Sequence, residues 1–217
     1  MKHAPSEKYS IAWFKLSECI AKGERERALG LYRLLAHSLD NKALAKQLEA
    51  DILLLFGDTA AHEKYQEAAL LFAAQHKWHE ATALYEHLVS LGRTSVEIYA
   101  SLINWYDKLA RTEKVGSYRA KLVHQLSCLD TAERARACEQ IGAILDSNQM
   151  IALYLSVIGY CKAEGLGEQT VEFWITRSLN YVVKSGSSAQ LQQYLAHLES
   201  LDLGLYQLAK QSIERAS

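Results

Sequence analysis

Apolar residues recur along this chain at every third or fourth position, the period of one helix face rather than the alternation of a half-buried strand. The stretch "YQEAALLFAAQHKWHEATALYEHLVSLG" (65–92) shows the pattern twice. Tyr65, Ala68, Ala69 and Phe72 carry the first pass, Ala81, Tyr85 and Leu88 the second, with a break near His76. Extended over the chain, the pattern predicts twelve helices of about 11–17 residues on short connections, which makes sequential helices antiparallel neighbours.

The first helix starts from a Ser10 cap and stops at Gly23; the second covers 24–39, with Ala28, Leu31, Leu35 and Leu39 on one stripe. Asp40 or Asn41 is placed to cap a third that ends at Gly57. Further helices follow at about 60–75, 77–90 and 96–109, the last begun by Thr94 or Ser95. A seventh spans 112–127, and an eighth 132–145, capped by Asp130 or Thr131 without a capping box to Arg134. "SNQMIALYLSVIGYCKAEG" and "GEQTVEFWITRSLNYVVKSG" supply two more, and 188–199 and 202–214 close the chain.

The pattern also repeats. Ala28, Tyr32 and Leu35 share a spacing of four and three with Ala61, Tyr65 and Ala68, and with Ser95, Tyr99 and Leu102; the sets begin 33 and 34 residues apart. Tyr65, Ala68, Ala69 and Phe72 return as Tyr99, Leu102, Ile103 and Tyr106. Ala81, Tyr85 and Leu88 return as Val115, Arg119 and Leu122, with one polar exception. Such spacing keeps each set on one helix face, where a small residue admits a neighbouring helix and an aromatic fills the gap between layers. One amphipathic hairpin cannot hide its own apolar face, so stacked copies would share a core.

A 34-residue helix–turn–helix unit of this kind resembles the tetratricopeptide repeat. The match is best over 62–95, with Tyr65, Ala68, Ala69, Phe72, Ala81, Tyr85 and Leu88 at the family's packing positions. Next comes 12–35, through Trp13, Leu16, Ser17 and Ile20, with a turn one residue short before Ala28. The proline that usually closes a unit is missing throughout, and the 59–74 helix reads equally as the second of one unit and the first of the next. The resemblance implies an all-α, right-handed solenoid of antiparallel hairpins: a flexible lead-in at 1–7, repeats over 8–128, and degenerate repeats with capping helices over 129–217, continuous as one stack. It also implies a concave groove, lined by first helices, that holds a peptide or partner helix.

Composition narrows the function. Pro5 is the one proline in 217 residues, so little interrupts the helices. A net charge of -1 gives no reason to expect nucleic acid. The longest apolar runs, such as "ALLFAA" (69–74), fall far short of a membrane span. Cys19, Cys128, Cys138 and Cys161 show no metal-binding or disulfide spacing and read as small apolar residues of a cytoplasmic protein. His76 and His79, with Glu80 and with His62 or His87 in reach, are a weak metal pattern better taken as surface and turn. "GLG" (165–167) fits a loop, and "ERER" (24–27) a solvated charge pair.

No catalytic, metal or cofactor-binding residue is therefore expected. Lys15, Asn104, Trp105 and Lys108 are the candidate groove-binding residues, as amide and ammonium groups able to clamp a carboxylate beside an aromatic. The function expected is a non-enzymatic interaction scaffold with a protein or peptide partner. A self-associating assembly protein, and so a homo-oligomer, is the alternative; a helical enzyme stands third.

Overall fold

A computed structural model describes residues 7–185 and 187–216, and among these it contains twelve α-helices and no strand. The protein is all-α, as the pattern predicts. Residues 1–6 of the expected lead-in lie outside the described residues, while Glu7 already belongs to the first helix. Ser10 is therefore inside that helix rather than at its cap. The chain divides into two compact units, Met1–Thr94 and Ser95–Ser217.

The first unit holds α1 (Glu7–Ala21), α2 (Arg25–Ala36), α3 (Lys42–Leu55), α4 (Ala61–Ala74) and α5 (Trp78–Ser90). Its core alternates alanines with large residues. Ala28, Ala43, Ala50, Ala61, Ala68, Ala69 and Ala81 are fully buried, and Tyr32, Tyr65, Phe72, Tyr85 and Leu88 fill the spaces that these close approaches leave. All seven residues assigned to packing in 62–95 are buried. A Phe or Leu side chain so placed contributes about 1.5–3 kcal/mol. α4 packs along both α3 and α5, which is why its sequence reads as a member of either hairpin. α1 packs chiefly against α2, so Ser17 is exposed and Trp13 and Ile20 only half-buried.

One turn serves most of these helices. After α1, α3 and α5 the chain enters the left-handed region at Gly23, Gly57 and Gly92, 34 and 35 residues apart. At Gly23 the amide N–H donates to Ile20 O (3.0 Å) and the next N–H, of Glu24, to Cys19 O (2.9 Å). This Schellman arrangement satisfies carbonyls left open at the helix end. The same pair of bonds closes α4 at His76 (φ 57°), where an imidazole-bearing residue takes the glycine's place. Polar ties follow the period: Asn41 and Gln75 exchange amide hydrogen bonds of 3.4 and 3.3 Å, and Arg25 pairs with Asp58.

The second unit comprises α6 (Val96–Lys108), α7 (Thr112–Ser127), α8 (Thr131–Gly142), α9 (Ser147–Ala163), α10 (Glu168–Ser185), α11 (Ser188–Leu201) and α12 (Leu203–Ala216). The repeated turn appears at Ala110 (φ 54°) and at Gly165. Elsewhere side chains begin the helices. Ser95 caps α6, and Asp130–Glu133, Asp146–Gln149 and Ser187–Gln190 form reciprocal capping boxes for α8, α9 and α11. The box at Asp130 uses Glu133, one residue before the Arg134 that the sequence pattern weighed. The polar exception at Arg119 also resolves: Tyr118, one place earlier, is buried and stacks on Tyr106, with centroids 5.8 Å apart and planes 6° apart.

The core of this unit centres on Trp174, Tyr194, Ile141, Met150, Val157 and Leu198. Within it the Ser178 hydroxyl donates to Trp174 O at 2.7 Å and lies 2.5 Å from the Tyr194 hydroxyl. The long-range polar ties have a wider spacing here. Asn104 Nδ2 donates to Ile144 O (3.1 Å, 40 residues on) and Gln149 Nε2 to Asp107 Oδ2 (3.1 Å, 42 residues back). Gln190 Nε2 reaches Asn148 Oδ1 (3.0 Å), also across 42 residues.

Candidate functional site

Among the described residues, three of the clefts carry polar chemistry, each inside one unit. In the first unit, a cleft of about 450 Å³ lies between α1 and α2. One wall is Lys15 and Glu18 of α1 with Lys22 just past its end, spaced three and four; the α2 wall is Arg27, Leu31 and Leu34. Lys22 pairs with Glu18 at 2.6 Å and Arg27 with Glu24 at 2.7 Å, which leaves Lys15 as the surplus cation among the cleft's described residues. Hydrogen bonding to Lys22 holds the Glu18 carboxyl below its ordinary range. Large apolar side chains continue this surface into solvent: Ile11 is 57% exposed, Phe14 73% and Leu34 71%. Cys19 closes the cleft floor and is buried.

In the second unit, a cleft of about 490 Å³ opens over α8, α9 and α10. Cys138 and Tyr154 form its floor and are both buried, with Arg177, Asn180, Tyr181 and Lys184 along the α10 side. Burial pushes the Cys138 thiol and the Tyr154 hydroxyl up in pKa, and the opposing pull of the Arg177 charge is smaller. A thiol held protonated in this way is a poor nucleophile. Arg177 hydrogen-bonds to both of these floor side chains, and its Nη2 also lies 3.5 Å from Ala135 O and 3.9 Å from a Glu139 carboxylate that is mostly in water.

The third cleft, about 630 Å³, lies among the ends of α9, α10 and α12. Lys162 pairs with Asp202 there, and Glu168, Glu172 and Leu208 line it. The "GLG" segment forms the connection at its edge, beginning with the left-handed Gly165.

The residues singled out for a groove are distributed differently from expectation. Lys15 is exposed on the first cleft. Asn104, half-buried, spends its amide on the carbonyl of Ile144 and so ties α6 to the loop after α8. Trp105 is only 5% exposed, a core side chain rather than a groove surface. Its position beside Tyr106 invited a groove role, but both rings are buried, because α6 is covered by α7 on one side and α8 on another. Lys108 is exposed near the C-terminal end of α6.

His76 forms the turn before α5 and meets Trp78 edge-on at 5.3 Å, and His79 is exposed. Among the described residues no group of three or more His, Cys, Asp or Glu side chains is placed to hold a metal ion, and no helix is long and apolar enough to cross a membrane. Arg177 and Lys184 escaped the sequence reading. Their seven-residue spacing on α10 was visible, but the floor from α8 and α9 that makes a pocket of them was not.

No family model matches the sequence, and no curated protein is significantly similar to it.

Proposed function

We propose that the protein is a non-enzymatic interaction scaffold built of tetratricopeptide-like hairpins, and that a peptide or partner helix docks on its first hairpin. The observation that carries this reading is the outward face of α1 and α2. Ile11, Phe14 and Leu34 stand in solvent around a cleft whose surplus charge is Lys15. Single exposed apolar residues are common on protein surfaces, whereas a cluster beside a charged cleft suits an amphipathic segment. The buried packing positions of α4 and α5 support the family likeness. A cytoplasmic location belongs to the same proposal, and cell fractionation tests it.

The interaction test places a photo-crosslinking residue at position 14 or 34 of the full chain in its native cells, with position 63 on α4 as control. A discrete adduct at 14 and 34, absent at 63 and lost when Lys15 is changed to Glu, supports the reading. Equal labelling at all three positions defeats it. Self-association is the second reading, favoured by the exposure of Leu203 and Leu208 on α12. Sedimentation over a wide concentration range separates the two, since only self-association raises the mass of the purified chain.

A further inference from the structure

We infer that the cleft over α8, α9 and α10 is a binding site for a small carboxylate carried on an aromatic body, independent of docking at the first hairpin. Its volume, about 490 Å³, suits a ligand of that size. The charge of the site is uneven. Arg177 and Lys184 stand on the same face of α10, two turns apart, with Glu139 as the one carboxylate among the lining residues. That carboxylate sits 3.9 Å from the Arg177 guanidinium and is mostly in water, a geometry that contributes little. Lys184 has no side-chain partner among the described residues, nor has Asn180, one turn before it.

Arginine offers a planar fork that matches a carboxylate with two parallel hydrogen bonds. Here the fork is half-buried and held over the floor by side-chain hydrogen bonding to Tyr154 and Cys138, with a long 3.5 Å bond from Nη2 to Ala135 O, so it is oriented at the cleft before any ligand enters. The apolar half of the recognition comes from the floor. Tyr154 is buried and contacts the half-buried Tyr181, with ring centroids 5.8 Å apart, and Gly142 leaves the α8 wall open because nothing lies within 4 Å of where its Cβ would be. An aromatic ring fits against Tyr181 while its carboxylate meets Arg177 and Lys184. The Cys138 thiol, kept protonated by burial, takes no covalent part.

The test is a titration of the ¹⁵N-labelled full chain with benzoate, benzamide and acetate, followed by amide shifts. Benzoate is expected to bind at about 1 mM with shifts centred on α8 and α10, and the two partial probes at least about tenfold more weakly. Arg177→Gln is expected to weaken benzoate about tenfold, and the exposed Lys184→Gln about threefold, both with unchanged spectra elsewhere. A tripeptide ending in phenylalanine, against its C-terminal amide, distinguishes the source. Tighter binding of the acid than of benzoate assigns the site to a peptide end, and weaker binding assigns it to a free metabolite-sized acid. The proposal is overturned if benzoate causes no shifts at about 10 mM, if benzamide binds equally, or if both variants bind as the parent does.

Discussion

The two units solve the same packing problem with different periods. In the first, helices of 12 to 15 residues mostly return through one left-handed turn, glycine in three cases and His76 in a fourth, and polar ties span 33 or 34 residues. In the second, α9 and α10 lengthen to 17 and 18 residues, side-chain capping boxes replace most of the turns, and the ties span 40 or 42. The length of α9 and α10 widens the ties that cross them, whereas the ties from α6 cross α7 and α8, of 16 and 12 residues, and are wide because they start inside α6 and end beyond α8. The difference also explains where a 34-residue pattern fades. Beyond Asp130 the stacking logic of helix against helix continues, but at a period the first unit does not share.

The largest test of that division removes a core aromatic from each side. Phe72→Ala and Trp174→Ala should each cost about 3–5 kcal/mol. Hydrogen exchange of the intact chain should quicken mainly in α3–α5 for the first and in α9–α11 for the second. Uniform quickening in both variants would break the comparison by showing a single cooperative body.

The polar ties are the next test. Gln149 is buried, closes the α9 capping box and donates to Asp107, so Gln149→Ala should cost about 2 kcal/mol in urea unfolding. Gln75 makes its 34-residue tie in water, and Gln75→Ala should change stability by no more than about 0.5 kcal/mol.

The shared turn offers a smaller effect of opposite sign. Ala110 occupies a left-handed position that glycine holds at Gly23, Gly57 and Gly92. Ala110→Gly should therefore stabilise by about 1 kcal/mol, seen as a rise of about 2–4 °C in Tm. His76→Gly should gain less, since it also loses the contact with Trp78.

The smallest effect is electrostatic. Asp58 accepts a hydrogen bond from the Ala60 amide and pairs with Arg25, and these hold its carboxyl below the ordinary range. A depressed folded-state value means the contribution is complete above the unfolded-state pKa of about 3.9, and is lost as pH falls through the folded value. Asp58→Asn should leave the pH dependence of stability unchanged between about pH 5 and 8, and flatten it below about pH 4.

Much of this architecture was legible in the chain itself. Helix spacing, the stops at Gly23, Gly57, Gly92 and Gly165, and the caps at Asn41 and Asp130 are local, and local rules read them. The repeat positions of α4 and α5 were legible because burying an Ala–aromatic stripe leaves a mark at fixed spacing. Ser10 misled because a helix can begin before its best capping residue when the preceding turn also adopts helical geometry.

The sites were less legible. Trp105 and Asn104 looked like surface chemistry from their spacing on one helix, yet one is core and the other a tie to Ile144. Arg177 became a candidate only when Cys138 and Tyr154, from two other helices, closed a floor beneath it.

The sequence by itself determined the helices, their ends and the stripe that each must bury, since these depend on backbone geometry and on residues three or four apart. Only the tertiary structure decided which polar side chains share a cleft, that the Phe14 face stays in solvent, and that the period widens in the second unit. Those outcomes depend on contacts between residues about forty apart, and no helical periodicity encodes which neighbour a side chain will meet.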